Sequence, residues 1–325
     1  MLKKDEAGRE EAIIKKISAV PEHILLTEKL LKINYINYFC REFDYPEEAE
    51  EHLKSACEKI YSDAAATKRF EELLEEYKAD PDCDYKSMTE DMKALSADAQ
   101  LNEHTGYLLM FICMSEILKD YYKSRKLDYE LWKRCMFDLK YKLIECRSVY
   151  GDWGIFVPGW YAGFFNLTRF AFEKLQFEAI CFGAEYEKNG IVLTPESTVL
   201  NVHIPRTGGR LDRESVERAY AQAKEFFADK FGEGPAVFVC SSWLLFPRHK
   251  EMMKAGSNLL SFISDYDIID SGEYSDYHEI WRLFDMNYTP ELSKLPADTS
   301  LRRSYIELIK NGEKTGWGRG VYIYR

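Results

Sequence analysis

The sequence lacks a basic stripe, a paired-cysteine motif and a clean apolar run of membrane-spanning length. Each absence removes a class of function. Lys+Arg number 44 against 55 Asp+Glu, for a formal net charge of −11. The acidity is spread, with 24 Lys+Arg and 31 Asp+Glu in residues 1–150 and 20 and 24 in the remainder. Such a chain offers little to a nucleic-acid backbone or an anionic membrane surface, so neither is an expected partner. Cys40, Cys57, Cys83, Cys113, Cys135, Cys146, Cys181 and Cys240 form no C-x-x-C pair, and none has a histidine at ligand spacing. No metal site is expected from them. Most sit in apolar patterns, as reduced buried thiols do. The opening "MLKKDEAGREEAIIKK" has no apolar signal core. Together these features predict a cytoplasmic protein.

One stretch imitates a membrane span: "WGIFVPGWYAGFFNLTRFAF", Trp153 to Phe172. It contains Pro158, Gly159, Asn166 and Arg169, which a spanning helix tolerates poorly. An aromatic segment inside a folded core is the expectation, with a lining role in a pocket as the alternative.

What is present is enough for about two domains of roughly 150 residues each. The chain has 325 residues, 46% of them hydrophobic, with Tyr 22 and Phe 19. Residues 1–150 read as helix throughout. "GYLLMFICMSEILKDYY" is apolar nearly all round at its start, as a central helix is. Thr67 is a candidate cap for "KRFEELLEEYK", and Gly151 for the end of "DYELWKRCMFDLKYKLIECRSVYG". Residues 151–325 change period. Asn189-Gly190 is a strong hairpin signal. The strand "VLNVHIP" leads to a helix near 213–228, and the strand "AVFVCSSWLLF" follows. "NLLSFISDYDIID" reads as a long strand, "SLRRSYIELIKNG" as a helix and "RGVYIYR" as a closing strand. The strands ending at Pro205 and near Ser241 should be parallel neighbours joined by the crossover helix.

Between them lies "PRTGGR". Pro205 cannot donate a ladder hydrogen bond, so pairing should stop there. Gly208 and Gly209 let a backbone approach a ligand, and the helix start that follows favours an anion. Arg206 and Arg210 add positive charge. An ordinary strand-to-helix turn would look the same, and Asp212, a plausible N-cap, puts a carboxylate where a phosphate would sit.

This order of elements resembles the GNAT N-acyltransferases, whose loop after the fourth strand is Arg/Gln-x-x-Gly-x-Gly/Ala. Here the loop is Arg206-Thr207-Gly208-Gly209-Arg210-Leu211, with Leu211 departing from the pattern. Over nearly the whole chain the sequence is similar to bacterial acyltransferase-like proteins that join a helical N-terminal domain to a GNAT-like C-terminal domain. "LQFE", "VHIPRTG", "CSSWLL" and "GSNLLSF" carry the likeness. The implied fold is α+β: an all-helical domain over residues 1–150, then a mixed sheet with flanking helices over 151–325.

The resemblance implies that the strands at Asn201–Pro205 and Val239–Trp243 splay apart. The pantetheine arm of coenzyme A, acetyl-CoA or another acyl-CoA would lie in that gap. Backbone near His203 and Ile204 would polarise the thioester carbonyl. Arg206, Thr207, Gly208, Gly209 and Arg210 would hold the pyrophosphate. Ser241 and Ser242 would bond the pantetheine amides or cap the next element. Transfer to the amine of a small molecule or peptide needs a base, and Glu178, Glu185 and His203 are candidates. Glu178 could equally be a structural carboxylate paired with Arg169, and His203 a hydrogen-bonded core residue. Cys240 offers a second mechanism through self-acylation. The family's tyrosine proton donor is missing from "PRHKEMMKAGSN". That absence keeps open a non-catalytic acyl-CoA-binding or protein-interaction protein that retains the fold.

Overall fold

The computed structural model describes residues 22–206, 211–231 and 234–325. The chain divides into two compact units. One runs to Arg125 and takes in Lys142–Arg147 and Gly151–Phe165. The other comprises Lys126–Tyr141, Ser148–Tyr150 and Asn166–Arg325.

The first unit is helical. Helices α1 (Glu22–Glu42), α2 (Glu47–Tyr61), α3 (Ala64–Ala79) and α4 (Tyr85–Asp98) surround α5 (Glu103–Ser124). Every residue of α5 from Thr105 to Ser115 is buried, as its all-round apolar pattern requires. The cap of α3 is Asp63, whose carboxylate accepts from Ala66 N at 2.8 Å, and not Thr67. Thr67 lies one turn inside, where its hydroxyl donates to the Asp63 and Ile60 carbonyls. Helix α6 (Tyr129–Tyr150) contributes residues to both units and ends at Gly151 with φ +75°, a left-handed turn that glycine adopts without strain. The aromatic segment packs as core: Tyr161, Phe164 and Phe165 are buried, with Phe111 against Tyr161 and Phe165. Among the described residues no helix is long and apolar enough to cross a membrane.

The second unit is built on a six-stranded sheet. Its strands are β1 (Arg169–Phe172), β2 (Leu175–Cys181), β5 (Thr198–His203), β6 (Ala236–Ser242), β7 (Asp267–Glu273) and β8 (Gly316–Tyr324), in the spatial order β1-β2-β5-β6-β8-β7. β3 (Tyr186–Lys188) and β4 (Ile191–Leu193) form a separate hairpin across Asn189-Gly190. All pairs in the large sheet are antiparallel except β5 with β6. Helix α7 (Arg213–Phe226) makes that parallel crossover and lays Tyr220 and Phe226 on an aromatic layer of Phe170, Phe172, Phe177 and Phe238.

"NLLSFISDYDIID" is not one strand. Ser257 caps a short helix, Asn258–Ser264, before β7 begins at Asp267. Leu259, Leu260, Phe262 and Ile263 share helical spacing, so a local cap and a 3.6-residue period prevailed over strand propensity. Helix α8 (Ser300–Lys310) precedes β8 as expected, and Gly312 at φ +70° follows it.

Candidate functional site

The β5–β6 ladder is short. Leu200 registers with Phe238 and Asn201 with Val239. Beyond that point β5 continues to His203 and β6 to Ser242, with no further register between them among the described residues. β6 instead stays with β8 as far as the Ser242–Gly318 pair. A side chain at Gly318 would overlap the Leu245 carbonyl, its Cβ falling 2.2 Å from that oxygen. Glycine there lets the Trp243–Leu245 turn lie against β8. Registered pairing between the two parallel strands therefore ends at Asn201–Val239, short of the C-terminal ends of both.

Five polar side chains share one sheet face at this point. Register puts Arg169 across from Glu178 and Glu178 across from Asn201, with Gln176 opposite His203 two pairs on. Period-2 alternation sends residues 176 and 178 to the same face as 201 and 203. Glu178 is nearly saturated. Its Oε2 accepts from Arg169 Nε at 3.1 Å and Nη2 at 2.9 Å. Its Oε1 accepts from Asn201 Nδ2 at 3.0 Å and lies 2.6 Å from His203 Nε2. Burial acts to raise the Glu178 pKa. The His203 hydrogen bond, the Arg169 charge and the Asn201 amide outweigh burial and pull it down to about 2. The His203 pKa is lowered, first by burial and also by Arg169, while the Glu178 hydrogen bond opposes the shift. At neutral pH the pair is a carboxylate beside a neutral imidazole. The shared proton then sits on Nε2 and the basic lone pair on Nδ1.

The structure thus brings Glu178 and His203 together with Arg169, and it gives Glu178 the Arg169 pairing weighed above. Glu185 is exposed on the loop before β3, apart from the cluster. Ile204 is half-buried just past β5, and Ser241 is exposed. Ser242 Oγ accepts from Leu244 N at 3.2 Å, capping the turn after β6. Arg206 is paired with Asp285, which also holds Arg302. Asp212 caps α7 by accepting from Ser215 N at 2.9 Å. Thr207, Gly208, Gly209 and Arg210 lie outside the described residues.

Cys240 is fully buried, and burial pushes its thiol up to about 12, which removes the thiolate that self-acylation needs. Among the described residues no group of His, Cys, Asp and Glu could hold a metal ion. Asn201, Gln176 and Asp138 were missed as site residues. The patterns Gln-x-Glu at 176–178 and Asn-x-His at 201–203 were the available signal for the first two. Asp138, on a helix distant in sequence, gave none.

A mixed sheet with one central parallel pair, whose registered pairing stops short of the C-terminal ends, is the GNAT-like arrangement. Residues 34–167 match the N-acyltransferase N-terminal domain and residues 169–322 the GNAT-like C-terminal domain. The chain belongs to this family of GNAT-like acyltransferases with a helical N-terminal domain. It is similar to a solved acyltransferase in complex with decanoyl-CoA and teicoplanin, at 18% identity and a TM-score of 0.64, covering 89% of this chain and 87% of that one. It is also similar to an acyltransferase in complex with CoA and 10C-teicoplanin, at 18% identity and a TM-score of 0.65, with the same coverage. A third, with decanoyl-CoA alone, has 17% identity and a TM-score of 0.64, covering 89% of this chain and 99% of that one. Among curated proteins nothing matches the chain.

Proposed function

We propose that the protein transfers an acyl group from a coenzyme A thioester to an amine, with His203 as the base. The observation that carries this reading is the neutral His203, hydrogen-bonded to the Glu178 carboxylate two residues past the last β5–β6 pair. A pantetheine arm would fit beyond Asn201–Val239, where registered pairing between the two strands has ended. Its amides would take ladder positions along Asn201–Ile204 and Cys240–Ser242. Arg206, with the loop of Thr207, Gly208, Gly209 and Arg210, would hold the pyrophosphate, Arg206 exchanging Asp285 for phosphate.

In this reaction the amine nitrogen attacks the thioester carbon. The new C–N bond forms, the C–S bond breaks, and His203 takes the proton that the amine loses. A thiol has a pKa of about 8.5, so the departing thiolate can be protonated by water without a tyrosine. Glu178 donates no lone pair to the substrate. It fixes the imidazole tautomer and stabilises the imidazolium, much as a carboxylate orients a catalytic histidine elsewhere. The acyltransferases crystallised with decanoyl-CoA and teicoplanin, and with CoA and 10C-teicoplanin, support a small-molecule or peptide acceptor.

Asp212 at the α7 start and the Arg206–Asp285 pair favour a second reading, a protein that binds acyl-CoA without turning it over. One experiment separates the two. Calorimetric titration with CoA, acetyl-CoA and decanoyl-CoA is paired with a thiol-release assay over a panel of amines, including teicoplanin. Binding with amine-dependent thiol release supports the transferase. Binding with no release across the panel supports the second reading, and no binding removes both.

A further inference from the structure

We propose that Asp138 and Gln176 form a positioning arm for His203, a role that rests on the acyl-transfer reading above. Gln176 stands directly across the β2–β5 ladder from His203, with the two side chains on one face. Its Nε2 donates to Asp138 Oδ1 at 3.0 Å. Asp138 reaches the sheet from α6 and is 3% exposed, while Gln176 is 2% exposed. This bond fixes which way the amide faces, because only the nitrogen end can donate to a carboxylate. The other end, Gln176 Oε1, is buried and has no hydrogen-bond partner among the described residues.

An unpaired buried carbonyl oxygen costs free energy, so its retention calls for a reason. The reaction supplies one. Neutral His203 has one N–H, which Glu178 Oε1 accepts. The imidazolium formed during transfer carries a full positive charge, and the carbonyl end of Gln176, on the same face directly across the ladder, presents its negative dipole to that charge. The Asp138 carboxylate adds a charge that favours the imidazolium, acting with Glu178 and against Arg169. Asp138 acts on His203 from α6, Glu178 from β2 and Arg169 from β1.

The test is an NMR titration of the labelled His203 imidazole in the free protein, run beside kcat and KM against pH. In Asp138→Asn the His203 pKa should fall by about 0.5–1 pH unit, since a charge favouring protonation is lost. The acid limb of kcat should move down with it, and KM for acyl-CoA should stay within about twofold. Gln176→Met keeps the charge and removes the amide. It should broaden or double the His203 resonances and lower kcat about tenfold at unchanged KM for acyl-CoA. If Asp138→Asn does not fold, Gln176→Met carries the test. An unmoved titration in Asp138→Asn, or a single sharp His203 resonance with wild-type kcat in Gln176→Met, would overturn the arm. Because the titration needs no turnover, a shifted His203 in a protein inactive on every amine would leave the arm standing and remove the transferase. Turnover with an unmoved His203 would do the reverse.

Discussion

His203 and His249 sit in the same sheet unit, each held below its ordinary pKa by burial, yet their surroundings differ. His249, in the turn after β6, is fully buried. Its Nδ1–H donates to the Leu244 carbonyl at 3.0 Å, and its Nε2 accepts from the Tyr305 hydroxyl at 2.5 Å. The rings of Trp243, Phe246 and Tyr305 enclose it. Both nitrogens are committed to neutral groups, and protonation would place an uncompensated charge among aromatics. His203 instead donates to a carboxylate, beside strands that have stopped pairing. Burial depresses both histidines. Only the one with a charged partner can take a proton and be stabilised afterwards.

The sharpest way to break this contrast is to exchange the roles by mutation. His203→Gln should reduce acyl transfer by about 10²–10⁴-fold with little change in acyl-CoA affinity, as for a lost general base. His249→Gln should leave transfer within a few-fold. It should lower stability by about 1–3 kcal/mol, read as a denaturant midpoint, because Tyr305 and Leu244 lose a buried partner. Equal activity losses in the two would erase the distinction.

Glu178→Gln is the next largest effect. It should lower kcat by roughly tenfold to a hundredfold by loosening the tautomer, a milder form of the loss seen when a triad carboxylate becomes an amide. It should also cost about 2 kcal/mol of stability, since the Arg169 charge is left without its partner.

The pH dependence sharpens the same point. Glu178 has a folded pKa below its unfolded value, so its contribution is present above the ordinary value of 4.5 and is lost as pH falls towards about 2. Glu178→Gln should flatten that part of the acid-unfolding curve. His203 also has a folded pKa below its unfolded value, but here the neutral form is the one that folding favours. Acidification below the ordinary 6.5 should therefore destabilise the protein as the unfolded chain takes up that proton first. The acid limb of transfer should lie below 6.5 for the same reason.

A further effect is remote from the proton. Arg206→Ala should weaken CoA binding by about 1.5–3 kcal/mol through a lost charge-assisted bond to phosphate, and this should appear in KM. Its pair with Asp285 is half-exposed, so folding stability should change by less than about 1 kcal/mol. Unchanged affinity would place the pyrophosphate elsewhere.

The parallel β5–β6 pair, the crossover helix and the Asn189-Gly190 hairpin were legible because each depends on local chemistry. An Asn-Gly turn, a proline that ends a ladder and an apolar stripe between two β-branched runs all read directly. The helix at Asn258–Ser264 reads as strand because a short apolar run next to β-branched residues looks like one unless Ser257 is taken as a helix cap. In the site, Glu178 and His203 could be singled out, but the balance between their roles could not. Arg169 can be named as a candidate partner of Glu178, but the balance also depends on Asn201 arriving across a second ladder and on Asp138 from a helix, neither of which strand periodicity encodes. The competing partner of Arg206, Asp285, was invisible for the same reason, lying 79 residues away in sequence.

Amide hydrogen exchange with and without decanoyl-CoA tests the central claim most directly, since it locates the cofactor whether or not turnover occurs. The gap between β5 and β6 predicts new protection in peptides spanning His203–Arg206 and Cys240–Ser242, with the His249 and Tyr305 peptides unchanged. Protection confined to other segments, with Cys240–Ser242 exchanging as in the free protein, would contradict it.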